Sequence, residues 1–95
     1  MNWEEYKEFV SQNDEDAKLI IEEAEAKAQI ISAMIKRRND LGLSQRELAE
    51  MCGVPQSSIA RIESSHSVPR LDMLIRIFSK LGLGVSIFPT NRLVR

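Results

Sequence analysis

Glycine and proline, the residues that most often interrupt helices, are confined to positions 42–89 of this 95-residue chain. None occurs before residue 42, and the seven that follow are Gly42, Gly53, Pro55, Pro69, Gly82, Gly84 and Pro89. Because these residues are the strongest local breaks in a sequence, their placement predicts long helices up to about residue 41 and a series of short elements after it.

Polar residues mark one break within the first 41 positions. The run "SQND" at 11–14 separates a short helix predicted over about 2–11 from a long helix over about 15–41, with Asn13 or Asp14 as the cap of the second. Along the long helix, apolar residues recur three or four positions apart: Ala17, Ile20, Ala24, Ala28, Ile31 and Ile35. This spacing predicts that they form its buried face.

The elements after residue 42 are short. Ser44 and Glu47 have the spacing of a capping box, in which each side chain binds the backbone N–H of the other residue. A helix is therefore predicted from Ser44 to Gly53, where glycine suits the helix end. Two further helices are predicted over about 55–64 and from Pro69 to about 81.

The segment "LGVSIFP" at 83–89 alternates apolar and smaller residues, which predicts one short strand. A lone strand in a helical chain has unpaired backbone groups that need a partner. We therefore expect Val85, Ile87 and Phe88 to pair with the same segment of a second copy, so that the chain is a homodimer. Addition to the sheet of another protein is the alternative.

Charge is divided unevenly along the chain. Residues 1–31 hold nine acidic residues against three lysines, a balance of −6, whereas residues 32–95 hold ten basic residues against five acidic ones, a balance of +5. Because surface charge bears on partners more than on fold, the acidic and basic parts are expected to have different partners. The expected division is an acidic helical extension at 1–25 and a basic domain at 26–95.

Several classes of protein are not expected. No clustered nucleophile, base or metal-ligand set suggests an enzyme, so no catalytic residue, metal or cofactor is expected. No apolar run approaches the length of about 18 residues that indicates a membrane span. The acidic start lacks the apolar stretch of a secretory signal. With a single cysteine, Cys52, the chain points to a reducing, cytoplasmic setting.

The stretch "R..LGLSQRELAEMCGVPQSSIARIE....VPRLDMLIRIFSKLG", residues 38–82, has the pattern of two helices joined by a tight turn. Ala49 is small where the helices cross, Gly53 can adopt the positive φ of the turn, and Ile59 and Ile62 anchor the second helix. This stretch resembles the helix-turn-helix of XRE-family, phage-repressor-like regulators. The resemblance implies an all-α, repressor-like bundle that carries the predicted N-terminal helices and the C-terminal strand.

The resemblance also implies how such a domain would bind an operator in duplex DNA. The helix that starts near Gln45 lies across the phosphate backbone, and the helix that starts near Pro55 enters the major groove. The residues expected to contact DNA are Gln45, Arg46, Pro55, Gln56, Ser57, Ser58, Arg61, His66 and Arg70. Gln and Arg side chains can each form two hydrogen bonds with a base edge.

Each of these assignments has a simpler alternative. Polar residues such as Gln56 and Ser57 are common at the start of any helix. Arg61 is as suited to a phosphate as to a base, and His66 suits a solvated loop. Pro55 stands where the family often has Ser or Thr, so one polar contact is lost. The family commonly has Gly soon after "IE", whereas this chain reads "SSHS", and a left-handed residue there would cost roughly 1 kcal/mol.

Other residues in this stretch are assigned structural roles. Arg38 and Glu63 occupy positions that form a partly buried ion pair in similar repressors, and we favour this over a DNA role for Arg38. Cys52 falls at a buried spacing and is expected to be a small core residue. Lys36, Arg37 and Arg76 are expected to be solvated charges.

The acidic part holds an aromatic stripe. Trp3, Tyr6, Phe9 and Val10 fall three or four apart and share one helical face. This stripe either packs on the chain's own bundle or fits the groove of a partner, with acidic flanks that suit a basic protein. An XRE domain joined to a separate helical segment resembles HigA-type antitoxins. That resemblance implies a partner that is a basic, RelE-like, mRNA-cleaving ribonuclease toxin, and repression of a shared operon.

Three functions remain open from the sequence. The first is an antitoxin that binds both DNA and a toxin. The second is a stand-alone phage- or plasmid-type repressor whose N-terminal helices serve only for dimerisation. The third is a protein-interaction adaptor whose helix-turn-helix is a scaffold that does not bind DNA.

Overall fold

The computed structural model describes residues 2–13 and 15–90, without the side chains of residues 10–13. This part of the chain holds five helices: α1 (Trp3–Asn13), α2 (Glu15–Asp40), α3 (Gln45–Cys52), α4 (Gln56–Glu63) and α5 (Leu71–Lys80). The predicted all-helical fold is confirmed. The Asn13 side chain and Asp14, on which the predicted cap depends, lie outside the described part, as does the side chain of Val10.

The main core lies where α3 packs on α4 and α5 and the second half of α2 packs on α4. Its buried residues are Met34, Leu48, Ala49, Cys52, Ile59, Ile62, Ile77 and Leu81. Met34, Leu48 and Ile59 have no exposed surface. Residues 31–83, which hold this core, are called the bundle below.

Local sequence determines the bounds of α3. The Ser44 side chain accepts a hydrogen bond from the Glu47 N–H, and Glu47 accepts one from the Ser44 N–H, both at 3.0 Å. The predicted capping box is thus confirmed, and the hydrogen bond from the Ser44 N–H to the carboxylate lowers the pKa of Glu47. Gly53 ends the helix with φ of 69°, a left-handed conformation that costs glycine little.

The first helix folds back along the first half of α2. Asn2 caps α1 by accepting a hydrogen bond from the Glu5 N–H at 2.8 Å. Lys7 joins the two helices, since its Nζ lies 2.7 Å from the Glu25 carboxylate and 3.3 Å from that of Glu4. The hydrogen bond to Glu25 raises the pKa of Lys7. Residues 3–30, which form this unit, are called the hairpin below.

The buried face of α2 differs from the predicted one. Ile21, Ile31 and Met34 are buried, whereas Ile20 is 66% exposed and Ala24 and Ala28 are exposed. The reason is that α2 has two neighbours: α1 lies against its first half and the bundle against its second half. The buried face therefore turns along the helix, which one periodic pattern cannot describe.

The predicted C-terminal strand is wrong. Residues 83–90 have neither helical nor strand structure, and Val85, Ile87 and Phe88 are exposed. A strand is defined by hydrogen bonds to a neighbouring strand, and no strand occurs in residues 2–13 and 15–90. Alternating residues alone therefore do not make this segment a strand.

The long helix α2 runs without a break across the predicted boundary between residues 25 and 26. The division into two domains therefore remains a prediction. None of the five helices combines the length and the hydropathy that crossing a bilayer requires.

Candidate nucleic-acid interface

A buried ion pair holds α4 against the end of α2. Arg38 Nε lies 2.7 Å from Glu63 Oε2, and Arg38 Nη2 lies 2.9 Å from Glu63 Oε1. The side chains are only 11% and 6% exposed, so the predicted ion pair is confirmed. The hydrogen bond to Glu63 raises the pKa of Arg38. Arg38 also donates to the Leu43 carbonyl at 2.8 Å, which fixes the connection between α2 and α3.

Gln45 belongs to the same network. Its Nε2 donates to Glu63 Oε1 at 3.0 Å. The Glu63 carboxylate therefore holds Gln45 at the start of α3 as well as Arg38 near the end of α2. The side-chain amide is therefore turned toward α4, while the residue stays partly exposed, and its contact with a phosphate remains a prediction. Sequence reasoning missed this contact because Gln45 and Glu63 lie 18 positions apart.

The start of α4 presents polar side chains to solvent. Pro55 precedes the helix with φ of −64° and ψ of 148°, and no side chain caps its first turn. This agrees with the expected loss of a polar contact at Pro55. Gln56 and Ser57 follow on the first turn and are exposed. They have the location that reading a base edge requires.

Four of the expected DNA-contacting residues line one concave surface of about 430 Å³. Ser57, Ser58 and Arg61 come from α4, and Arg70 stands just before α5. The loop residues Ser67, Val68 and Pro69 complete this surface. Because its two arginines are exposed, the surface can receive a phosphate or an acceptor-rich base edge. The three loop residues carry no sequence signal that would have singled them out.

The remaining basic residues have their own neighbours. Arg46 is exposed on α3 with its Nε 3.4 Å from the Glu50 carboxylate, and Arg70 lies 3.7 Å from Asp72. Exposed pairs of this kind are weak, so both arginines can exchange them for a phosphate. Arg37 is not the solvated charge that was expected, because its Nε donates to the Leu81 carbonyl at 2.8 Å and closes the end of α5.

The loop after α4 adopts a left-handed conformation at a serine, a point that the sequence had left open. Ser65 has a φ of 63°, and the N–H groups of Ser65 and His66 donate back to the carbonyls of Ile62 and Arg61. This is the helix end that glycine usually makes. The exposed His66 is held by a 3.0 Å contact between its Nδ1 and the Ser64 hydroxyl.

Cys52 lies in the core beneath this surface. It is 4% exposed, and burial raises the pKa of its thiol. The prediction of a packed, unreactive core residue agrees with both observations. Across the described residues, no three His, Cys, Asp or Glu side chains are grouped so that they could hold a metal ion.

Comparison with known proteins covers both halves of the chain. The helix-turn-helix family HTH_3 matches residues 34–88. A protein of Haemophilus influenzae, described as an uncharacterized HTH-type transcriptional regulator, is 34% identical over 88 residues, which cover 93% of this chain and 85% of that protein. A chain from a toxin–antitoxin module of Streptococcus pneumoniae aligns with a TM-score of 0.69 and 33% identity, over 95% of this chain and 94% of its own length.

The family match spans more than half of the chain and includes α3 and α4 with the concave surface between α4 and α5. The relatives resemble the chain over nearly its whole length, including the hairpin. The chain belongs to the helix-turn-helix family HTH_3, with an XRE-type domain of the DNA-binding transcription regulators, and it is not an enzyme.

Proposed function

We propose that this chain is the antitoxin of a toxin–antitoxin pair, with a DNA operator bound by the bundle and a toxin bound by the hairpin. The observation that carries the proposal is the similarity to a chain of a toxin–antitoxin module over 95% of this chain. Since that similarity includes the hairpin as well as the bundle, it supports a function for both parts. The proposal places the chain in the cytoplasm, where operator and messenger RNA are found.

The DNA-binding step uses the exposed side of α4. Gln56 and Ser57 face the base edges, Arg61 and Arg70 contact bases or phosphates, and Arg46 contacts the backbone from α3. The Arg38–Glu63–Gln45 network supports this step by fixing α4 relative to α3 and α2. Ser58 lines the same concave surface. Pro55, just before α4, and His66, in the loop after it, are the remaining proposed DNA contacts.

A single reading helix makes few base contacts, so the operator is bound by a two-fold dimer with half-sites about one helical turn, roughly 34 Å, apart. The exposed side chains of Val85, Ile87 and Phe88 are the proposed contacts between the two copies. Because these residues form no strand in the chain, packing of side chains is the proposed mode of association.

The toxin-binding step uses the aromatic stripe of α1. Trp3, Tyr6 and Phe9 are 50%, 47% and 56% exposed, and the rings of Trp3 and Tyr6 are stacked with their centroids 6.0 Å apart. Val10 is the fourth proposed member. Aromatic anchors of this kind commonly dominate protein interfaces.

The charge of the hairpin supports a basic partner. Residues 1–31 have a balance of −6, and Lys7 is already paired with Glu4 and Glu25. An acidic surface of this kind suits a basic ribonuclease whose site otherwise receives the phosphates of RNA. We therefore propose a RelE-like, mRNA-cleaving toxin, a HigA-type antitoxin, and repression of the operon that encodes both.

A stand-alone repressor is the second candidate. The relative from Haemophilus influenzae is described as an HTH-type transcriptional regulator, and a repressor needs no toxin. In that case the hairpin would serve dimerisation and its aromatic stripe would be covered by a second copy. An adaptor that does not bind DNA is disfavoured by the exposed polar and basic side chains of α4.

A reciprocal pair of variants tests the proposal. The adjacent reading frame is co-expressed with the full chain, with Trp3→Ala plus Phe9→Ala, or with Gln56→Ala plus Arg61→Ala. We expect the first variant to lose toxin neutralisation but keep operator binding, and the second to show the opposite. If no adjacent frame is toxic while the operator is still protected in footprinting, the stand-alone repressor is the better description.

A further inference from the structure

Two loop residues connect the concave surface assigned to DNA with a second concave surface beside it. Val68 and Pro69 line the first surface together with Arg70. They also line a neighbouring surface of about 350 Å³, which includes Lys27 from the middle of α2. This part of α2 therefore lies beside the DNA surface, although it precedes residues 34–88, which the helix-turn-helix family matches.

The three lysines of the acidic part have different surroundings. Lys7 and Lys18 line a cleft between α1 and α2, together with four glutamates: Glu4, Glu8, Glu22 and Glu25. Lys27 follows Lys18 by nine positions, or about two and a half helical turns, which places it on the opposite face of α2. Lys27 is thus directed away from the acidic cleft and toward the side of the bundle that carries Val68 and Pro69.

The burial of Lys27 supports this orientation. Lys27 is partly buried, whereas its sequence neighbours Ala26 and Ala28 are exposed. A lysine side chain commonly covers apolar surface with its methylene groups while its ammonium group stays in water. Because Val68 and Pro69 line the same concave surface, this packing holds the ammonium group on the side of α2 that adjoins the DNA surface.

Glu23 is the acidic residue that could compete for Lys27. It lines the same concave surface and precedes Lys27 by four positions, a spacing at which a glutamate and a lysine on one helix attract each other. Glu23 is exposed, and exposed pairs of this kind are weak. Lys27 can therefore exchange this neighbour for a phosphate, as Arg46 and Arg70 can exchange theirs.

We infer that Lys27 contacts a phosphate of the DNA backbone that flanks the bases faced by α4. This inference rests on the proposed function only in that the bundle must bind duplex DNA. Each strand presents a phosphate roughly every 3.4 Å along the duplex axis, so a backbone that meets Arg70 carries further phosphates past Pro69 and Val68. Lys27 thus adds a contact of the kind that positions a protein on DNA without reading its sequence.

Binding to two duplexes tests this contact. The first duplex contains the region upstream of the chain's own gene, and the second has an unrelated sequence. Lys27→Gln removes the charge, and at about 0.1 M salt it should weaken binding to both duplexes on the order of 5-fold for each bound copy. The slope of log affinity against log salt should fall by about 1 for each bound copy. Lys27→Arg keeps the charge and should bind both duplexes as the wild-type chain does.

Two other lysines of α2 are matched controls. Lys18 and Lys36 stand nine positions before and nine positions after Lys27, so both lie on the opposite face of the helix. Lys18→Gln and Lys36→Gln each remove one positive charge, as Lys27→Gln does, and an effect of net charge alone would be shared by all three. We expect both controls to change the affinity by less than about 2-fold, because salt screens charges that are distant from the DNA. Circular dichroism should show unchanged helix content in every variant.

Ethylation interference locates the contact on the DNA. The Lys27→Gln chain should lose sensitivity to ethylation at one phosphate in each half-site, whereas the two controls should keep the wild-type pattern. Toxin neutralisation should be unchanged in all of these variants. An unchanged salt slope in Lys27→Gln, an equal loss in the controls, a Lys27→Arg chain as weak as Lys27→Gln, or an unaltered ethylation pattern would each overturn the contact.

Failure of this inference is separable from failure of the proposed function. A wild-type chain that protects its operator, with a Lys27→Gln chain that binds equally well, would overturn the Lys27 contact alone. A wild-type chain that binds the upstream region no better than the unrelated duplex would instead overturn the proposed operator, while the change in salt slope at Lys27 would still be measured on both duplexes.

Discussion

The hairpin and the bundle use similar helices for opposite purposes. In the bundle, apolar side chains face inward, and Met34, Leu48 and Ile59 are completely buried. In the hairpin, the described aromatic side chains are about half exposed, and the two helices are joined by the paired ammonium of Lys7. Exposed apolar side chains contribute little to folding and are available to a partner. The buried core of the bundle therefore stabilises the fold, whereas the hairpin presents exposed aromatic side chains that a partner can bind.

The largest expected effect comes from matched isoleucine truncations in the two regions. Ile59→Ala should lower the free energy of unfolding by roughly 4 kcal/mol, because it removes a fully buried side chain from the bundle core. Ile21→Ala should cost less, since α1 alone covers this side chain, and Ile20→Ala should cost under about 0.5 kcal/mol. Urea denaturation followed by circular dichroism measures all three. Equal losses at Ile59 and Ile21 would show that the hairpin shares the core.

The next effect concerns the Arg38–Glu63–Gln45 network of the bundle. Glu63→Ala leaves the Arg38 charge and the Gln45 amide without their shared acceptor, and it should cost about 3 kcal/mol, as for other broken buried pairs. Lys7→Ala, which removes the ion pairs to Glu4 and Glu25 in the hairpin, should lower the free energy of unfolding much less. Comparable losses from the two variants would mean that polar contacts hold both regions equally.

Two natural probes report the regions separately. The chain has one tryptophan, Trp3, in the hairpin and one cysteine, Cys52, in the bundle core. We expect Trp3 fluorescence to change at lower urea concentration than that at which Cys52 becomes reactive to a thiol reagent. The reason is that short helices depend on tertiary packing, and none of the described side chains of α1 is fully buried. If the Trp3 signal and the Cys52 reactivity change at the same urea concentration, the hairpin does not open independently of the bundle. A bound toxin should move the Trp3 transition upward.

The smallest expected effect comes from comparing two helix ends within the bundle. Gly53 and Ser65 both end their helices with left-handed backbone, at φ of 69° and 63°, yet only the first is a glycine. Ser65→Gly should therefore raise the free energy of unfolding by about 1 kcal/mol, whereas Gly53→Ser should lower it by a similar amount. A Ser65→Gly chain that gains no stability would show that serine is accommodated there without strain.

Several features of this protein follow from the sequence alone, because neighbouring residues produce them. The capping box at Ser44 and Glu47 and the glycine end at Gly53 depend on contacts within a few positions. The helix-turn-helix spacing is also local, since it records how two adjacent helices cross. These features could be predicted because local hydrogen bonds and backbone sterics act whatever the rest of the chain does.

Other features were decided only by the tertiary structure. The buried face of α2 turns because two different neighbours cover it, Gln45 binds a carboxylate 18 positions away, and Arg37 closes the end of α5 across 44 positions. The segment at 83–89 has the residues of a strand, but no backbone in residues 2–13 and 15–90 pairs with it as a neighbouring strand. The contacts of α2, Gln45 and Arg37 form only when the helices pack together. A pattern of nearby residues does not specify which distant group will lie beside a given side chain.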